Sequence, residues 1–279
     1  MPDSVYLTFP GSKMLLPTRQ VMILSLYHLL LYERVIKTLL SLPDKYKKDA
    51  PVAKTTFVRG ANLQGSEKKR FETSVEEIRL TYQIEGFDIP NLVNDEYNCQ
   101  VIMFLTIKLK ELKHTAFISS VVQKCINALC VIEFTDGSNE QFSFADKRLN
   151  KQNNKEIVIE SEYLSAAMPL EFHNDTKTLF SLYIDYDTIL NRNNKHTYYI
   201  EMMTKSFLVC NQGLYKGQTD LLDSKKLWYD GDKAMACLPL LKKLKQLKLS
   251  AAKAKTVSEK SEFNGQIKEI IKALEGLVK

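Results

Sequence analysis

Residues 99–109 read CQVIMFLTIKL, and this stretch decides the fold class. It is β-branched and strongly apolar, which is typical of a central strand in a sheet. Residues 114–127 follow with helical spacing through Phe117, Val121 and Cys125. Residues 129–134 then form a second apolar run. The succession predicts a strand, a covering helix and a second strand.

The next residues extend this sheet. Asp136-Gly137 is a signal for a hairpin turn. Residues 141–145 alternate, with Phe142 and Phe144 on one face. Residues 156–159, EIVI, favour another short strand. We therefore expect a small mixed sheet over about residues 95–162.

Helical periods surround this region. Phe71, Val75, Ile78 and Tyr82 predict a helix over residues 66–85 that ends at Gly86. Residues 21–40 predict a buried first helix, and residues 170–210 predict two helices separated by the polar NRNNKH at 191–196. The fold class is therefore predicted as α+β.

The tail has the clearest period. Two sets of apolar residues step by 4, 3, 4 and then 3, with a phase slip between them. They are Leu240, Leu244, Leu247, Ala251 and Ala254, then Phe263, Ile267, Ile270, Leu274 and Leu277. A hairpin turning near residues 257–262 would pair them within one chain, whereas a straight coiled coil would leave them for a second chain and an oligomer. The sequence leaves both open.

These patterns divide the chain into an N-terminal extension at 1–31, an α+β body at 32–235 and a basic helical tail at 236–279. Residues 1–20 show no clear period, so we expect them to be weakly packed. Translation starting at Met14 or Met22 would be consistent with that expectation.

The positive charge lies in the tail. The net charge is +6, and residues 238–279 hold ten lysines against four acidic residues, so the rest of the chain is neutral. A localised basic element suits nucleic acid or an acidic partner, whereas the alternative reading is a solvated helix face. Candidate contact residues are Lys242, Lys243, Lys245 and Lys248 in the tail, with Lys147 and Arg148 at an expected strand end.

Motifs for several chemistries are absent from the sequence. There is no phosphate loop, no G-x-S-x-G and no H-E-x-x-H. The four histidines are far apart, so we expect no structural metal site, and the sequence names no cofactor. A metal-dependent nuclease remains the alternative function, with Asp95, Glu111, Lys113 and the possible sheet neighbours Glu133 and Lys147 as candidates.

Composition favours the cytoplasm. The five cysteines form no C-x-x-C pair, which fits reduced thiols. The apolar run at 21–32 is too short to span a bilayer, so we expect no membrane segment. Trp228 and Tyr229 lie beside Lys225 and Lys226, which allows base stacking, or they anchor an irregular segment to the core.

Over residues 32–279 the chain resembles a bacterial family, domain of unknown function 4391. The segments that carry the resemblance are Leu42-Pro43, residues 54–57, KKRFETSVEEIRLTYQI at 68–84, CINALCVIEFTDGSNEQFSFADKRLN at 125–150, and EKSEFNGQIKEIIKALEGL at 259–277. The family's tryptophans near Leu80 and Ala167 are absent here. The resemblance implies a helix leading into a Tyr-containing strand over residues 68–84.

The resemblance also implies a setting. Family members are often encoded beside helicase-like and DNA-methyltransferase genes in restriction-like defence clusters, and no catalytic residues come with the family. Together with the basic tail, this predicts a non-enzymatic accessory or interaction subunit. Its expected partner is a helicase- or methyltransferase-type protein, or nucleic acid, bound through the tail.

Overall fold

The computed structural model describes residues 6–9, 12–15, 40–170 and 174–279, with side chains from residue 40 onward except at 154 and 155. Two compact units result, Met1–Ser41 and Leu42–Lys279. In the first, strands β1 (Tyr6–Phe9) and β2 (Ser12–Leu15) pair antiparallel. The predicted first helix lies almost wholly outside the described residues. The predicted start site, the weak packing and the three-part division of the chain stay predictions.

The second unit contains a mixed sheet with helices around it, so the α+β fold class is confirmed. The strand order is β10-β9-β8-β7-β4-β3, and only the β7–β8 pair is parallel. The strands are β3 (Lys47–Pro51), β4 (Val75–Ile84), β7 (Ile102–Leu109), β8 (Leu129–Thr135), β9 (Asn139–Asn150) and β10 (Asn153–Leu164). The short β5 (Leu92–Val93) and β6 (Asn98–Cys99) pair with each other, and β11 (Met168–Pro169) pairs with β9.

The helices of this unit lie before, within and after the sheet in the chain. They are α1 (Lys54–Gly60), α2 (Gly65–Ser74), α3 (Thr115–Cys125), α4 (Asp175–Tyr183), α5 (Lys195–Cys210), α6 (Gln218–Asp223), α7 (Lys225–Tyr229), α8 (Gly231–Lys253) and α9 (Val257–Val278). No helix among the described residues is long and apolar enough to cross a membrane.

The strand, helix, strand succession at the centre is confirmed. β7 and β8 lie side by side and are joined by α3, because parallel strands need a crossover connection. The hairpin signal is confirmed as well, since Gly137 takes φ 84° between β8 and β9. Ile107, Ile132 and Phe134 pack with residues of α1, α2 and α3 in one core on one side of the sheet.

The predicted helix over residues 66–85 is wrong in its second half. The helix α2 ends at Ser74, and the chain continues directly as β4, which pairs with both β3 and β7. Ile78 and Leu80 follow the strand period, as do Tyr82 and Ile84 after a register shift between Leu80 and Tyr82. Pairing on both edges outweighs the helical spacing. The family resemblance, which implied a helix leading into a Tyr-containing strand, was correct here.

The other side of the sheet is covered by α4 and α5. Phe142 lies opposite Glu133 in the register and stacks on Phe180 of α4 at 4.8 Å between ring centroids. Tyr199 of α5 donates its hydroxyl to the Cys130 carbonyl at 2.8 Å and accepts from the Ala145 amide at 2.8 Å. These bonds fix α5 against the middle of the sheet.

Helix α5 is buried along almost its whole length, charged residues included. Glu201 and Lys205 form an ion pair at 2.5 Å with side chains 0% and 2% exposed. Glu201 also accepts the backbone N–H groups of Leu190 and Asn191, which holds the loop before the helix in place. A buried carboxylate persists only when charge and hydrogen bonds satisfy it, and this one has both.

The tail is a helical hairpin. α8 and α9 pack against each other across a short turn that ends in a capping box formed by Thr256 and Glu259. Leu244, Ile270 and Leu274 are buried, as the heptad spacing predicted. The turn comes slightly before the expected 257–262, and α8 also packs on α5. The open choice between hairpin and straight helix is therefore resolved for one chain.

The two outer strands of the sheet are irregular. All five residues of β3 are exposed, and its pairing with β4 shifts register between Lys47 and Ala50. β10 shifts register twice against β9, between Asn153 and Ile157 and between Ile159 and Ser161. Each irregularity bends the strand away from a flat edge.

Candidate functional site

Most of the excess positive charge of the tail lies on one helix of the hairpin. Residues 231–253, which form α8, hold six lysines and one aspartate, a net charge of +5. Residues 257–278, which form α9, hold three lysines and four glutamates, a net charge of −1. Any electrostatic contact made by the tail therefore depends on α8.

Three of the four candidate lysines on this helix bond to the body. Burial lowers the pKa of Lys242, although Glu162 and Asp146 lie near enough to oppose this. The bonds run from Lys242 Nζ to Ser161 Oγ (2.5 Å) and the Glu162 carbonyl (2.6 Å), from Lys245 Nζ to Asn211 Oδ1 (2.6 Å), and from Lys248 Nζ to the Leu214 carbonyl. These lysines fasten α8 to β10 and to the loop after α5.

The fourth candidate, Lys243, belongs to the outer face of α8. It is exposed, as are Gln246, Ser250 and Lys253, which follow it at helical steps of 3, 4 and 3. Lys255, in the turn, is exposed too. Within the described part of the chain these three lysine ammonium groups make no ion pair or side-chain hydrogen bond, so they are available to an anionic partner.

Lys147 and Arg148 lie inside β9 and not at its end, which corrects the expected position. Lys147 is buried and donates to the carbonyls of Ile126 and Ala128. Arg148 forms an ion pair with Glu160 on the neighbouring strand β10. Both side chains are therefore engaged within the fold.

A histidine and an aspartate meet beside these residues, and sequence reasoning missed them because they are 50 positions apart. Asp146 Oδ1 lies 2.9 Å from His196 Nε2 at the start of α5, and the ring of Tyr97 lies over the imidazole at 4.2 Å. Asp146 and Tyr97 line a cavity of about 330 Å³, together with Ser161. Burial raises the pKa of Tyr97 to about 12, so its hydroxyl stays protonated at neutral pH.

The nuclease candidates are not brought together. Glu111 and Lys113 form an exposed ion pair at 2.5 Å, whereas Glu133 is half-buried and accepts from Thr106 Oγ1. Loss of solvent around its carboxylate raises the pKa of Glu133. Glu133 pairs with Phe142 and not with Lys147, so the expected sheet neighbours are not neighbours. Across the residues that the structure describes, no group of three or more His, Cys, Asp or Glu side chains could hold a metal ion.

The only tryptophan is structural. Trp228 is 0% exposed and donates its indole N–H to the Leu222 carbonyl at 3.1 Å, so it anchors the segment before α8. Tyr229, by contrast, is 58% exposed. Base stacking on Trp228 is excluded by its burial.

The fold and these surfaces define a class of protein: an α+β domain with a mixed sheet, a buried central helix and a basic C-terminal hairpin. A family model, Domain of unknown function (DUF4391), matches residues 40–274. The chain belongs to that family, which confirms the resemblance drawn from its sequence. Comparisons with curated proteins and with solved structures give no match.

Proposed function

We propose that this protein is a non-enzymatic accessory or interaction subunit of a bacterial, cytoplasmic, DNA-related system of the restriction or defence type. It contacts an anionic partner through the outer face of α8, and DNA is the partner that the charge favours. The observation that carries the proposal is that Lys243 and Lys253 share the exposed face of α8, the more basic helix of the hairpin, with Lys255 beside them in the turn.

The geometry separates two groups of lysines in the tail. Lys242, Lys245 and Lys248 hold the hairpin to the body, so replacing them changes stability as well as charge. Lys243, Lys253 and Lys255 have no such bonds among the described residues. A test of the interface should therefore change Lys243, Lys253 and Lys255 and leave the bonded lysines in place.

The test is the salt dependence of binding to a fluorescent DNA duplex, followed by anisotropy. Each phosphate contact contributes about 0.9 to the slope of log K against log salt, so replacing the three exposed lysines with Gln should lower the slope by up to about 2.7. The matched control replaces Lys260, Lys268 and Lys272, three exposed lysines of the acidic helix α9, and should leave the slope nearly unchanged.

Two results would contradict this interface. Equal slope changes in the two triple variants would show diffuse attraction and no defined surface. An unchanged slope in the α8 variant would move the DNA contact to the body. If the protein binds no duplex at all, the α8 face should instead retain an acidic partner of helicase or methyltransferase type in co-purification, and the α8 variant should lose it.

The metal-dependent nuclease remains a separate prediction and is tested directly. Purified protein is incubated with plasmid DNA and Mg²⁺ or Mn²⁺, with a chelator control. We expect no cleavage. Cleavage that depends on the divalent ion and persists after repeated purification would overturn the non-enzymatic proposal.

A further inference from the structure

A second cavity, of about 450 Å³, lies beside β9 where the chain passes from α3 into β8. Its wall carries two basic side chains, Lys147 and Arg148, and three amides, Asn98, Gln100 and Asn127. The rest of the wall is apolar or cysteine, and no Asp or Glu lines it. The lining therefore offers hydrogen-bond donors and two positive charges, of which that of Arg148 is paired with Glu160 outside the wall.

Lys147 is the group of this wall that most lacks a counter-charge. Lys147 is only 3% exposed. Its Nζ donates to the carbonyls of Ile126 at 2.7 Å and Ala128 at 3.0 Å. Those carbonyls flank Asn127, which itself lines the cavity. Among the described residues the third N–H of the ammonium has no acceptor, and no carboxylate forms an ion pair with it.

The other buried lysines of the described chain are satisfied. Lys177 and Lys205 pair with Glu140 at 2.9 Å and Glu201 at 2.5 Å. Lys195 donates to three acceptors, the carbonyls of Gly86 and Ile89 and the side chain of Asn91. Because a buried ammonium is costly without an anion or a full set of acceptors, Lys147 differs from all three.

We propose that this cavity binds a small molecule with an oxyanion group, a phosphate or a carboxylate, and that Lys147 supplies the cation that holds it. Arg148 and the side-chain amides add donors, although the charge of Arg148 is already shared with Glu160. The ligand completes the third hydrogen bond of Lys147. This site is independent of the outer face of α8.

The first test uses thermal unfolding in sulfate, phosphate and malonate, with chloride at the same ionic strength as the reference. At about ten times the dissociation constant, a bound anion should raise the Tm by about 2–3 °C. Lys147→Met should abolish this gain. The matched control, Lys195→Met, removes another buried lysine that does not line the cavity, and it should lower the Tm in every salt but keep the gain.

The anions that raise the Tm identify the chemical class of the ligand. Stabilisation by sulfate and phosphate but not malonate assigns the site to phosphate-bearing molecules, and the reverse assigns it to carboxylates. The proposal is overturned if no anion stabilises the wild type beyond chloride, or if Lys147→Met gains as much as the wild type.

A second measurement needs no variant and decides the matter if Lys147→Met does not fold. Burial lowers the pKa of Lys147 to about 8, and the titratable groups facing it are Cys125 of α3, Cys130 of β8 and Glu162 of β10. Burial raises the pKa of Cys130 to about 12, so that thiol stays neutral here. Sulfate keeps its charge between about pH 6 and 9, so its affinity should fall as the pH rises through 8. A constant affinity would overturn the proposal.

Discussion

The ion pair inside α5 allows a sharp test of how the core is held. Glu201 and Lys205 have left water completely, and each is compensated mainly by the other. Glu201 also accepts from the amides of Leu190 and Asn191, and Lys205 donates to the Thr188 carbonyl at 3.2 Å. Burial lowers the pKa of Lys205, with Glu201 opposing that effect. Removing either partner therefore leaves a buried charge without its counter-ion.

The cost follows from that geometry. Breaking a buried pair by removing one partner costs about 3–5 kcal/mol. We expect Glu201→Gln and Lys205→Met each to fall in this range, which lowers the Tm by roughly 5–9 °C for a chain of this size. The double variant removes both charges, so it should cost at least about 2 kcal/mol less than the two single variants added together.

The assay is urea unfolding followed by the fluorescence of Trp228. This residue is the sole tryptophan of the sequence, is buried, and has its ring 5.3 Å from Lys205 Nζ, so it reports on this part of the core. The control pair is Glu111 and Lys113, which is exposed and should contribute less than about 1 kcal/mol. The reasoning would be refuted if the loss in unfolding free energy of the double variant equalled the sum of the losses of Glu201→Gln and Lys205→Met. It would also be refuted if each single variant lost as little as the exposed control pair.

Two further outcomes are expected. Leu244→Ala, at a fully buried position of the hairpin, should cost about 2–5 kcal/mol in thermal unfolding, whereas Leu249→Ala, at a position 54% exposed on the same helix, should stay within about 0.5 kcal/mol; similar costs would contradict the hairpin packing. Burial raises the pKa of Glu140 from 4.5 to about 7, even though Lys177 lies 2.9 Å away. The folded state therefore holds this proton more tightly than the unfolded state, so stability should fall as the pH rises from about 4.5 to 7. Glu140→Gln should reduce the pH dependence of the unfolding free energy measured from pH 4 to 8, while the exposed Glu262→Gln should not. An unchanged pH dependence in Glu140→Gln would disprove the raised pKa of Glu140.

The centre of the fold was predictable from sequence because its signals are local. β7 and β8 are mostly apolar, α3 has a regular period, and Gly137 marks the turn into β9. The error came at β4, where Val75, Ile78 and Tyr82 continue the helical spacing that begins at Phe71 in α2 although the chain there is a strand. Pairing with β7, which is set by tertiary structure, decided the outcome.

For the basic tail, the sequence predicted the positive charge but not the contacts that its lysines make. Sequence located the positive excess in the tail, but it could not show that Lys242 meets a carbonyl 80 positions away or that Lys248 meets one 34 positions away. It also missed the second apolar side of α8, where Cys237, Leu238 and Leu241 are buried. The 4, 3 spacing of apolar residues in the sequence accounts only for the side of α8 that packs against α9.

The burial of Lys147 had no sequence signal at all. It lies between Asp146 and Arg148, and a run of three charged residues ordinarily indicates solvent. Only the pairing of β9 with two neighbours, which turns alternate side chains inward, places it under the loop after α3. Neither the cavity nor the Asp146–His196 contact could have been inferred without the topology.

The irregular outer strands bear on how copies of the protein behave in a crowded solution. An open edge offers unpaired amide and carbonyl groups to any passing strand, which is a route to aggregation. β3 meets this hazard with two lysines, an aspartate and a terminal proline, and β10 with two breaks in register. These features make each edge a poor template for a long foreign strand, which protects the sheet from pairing with other copies.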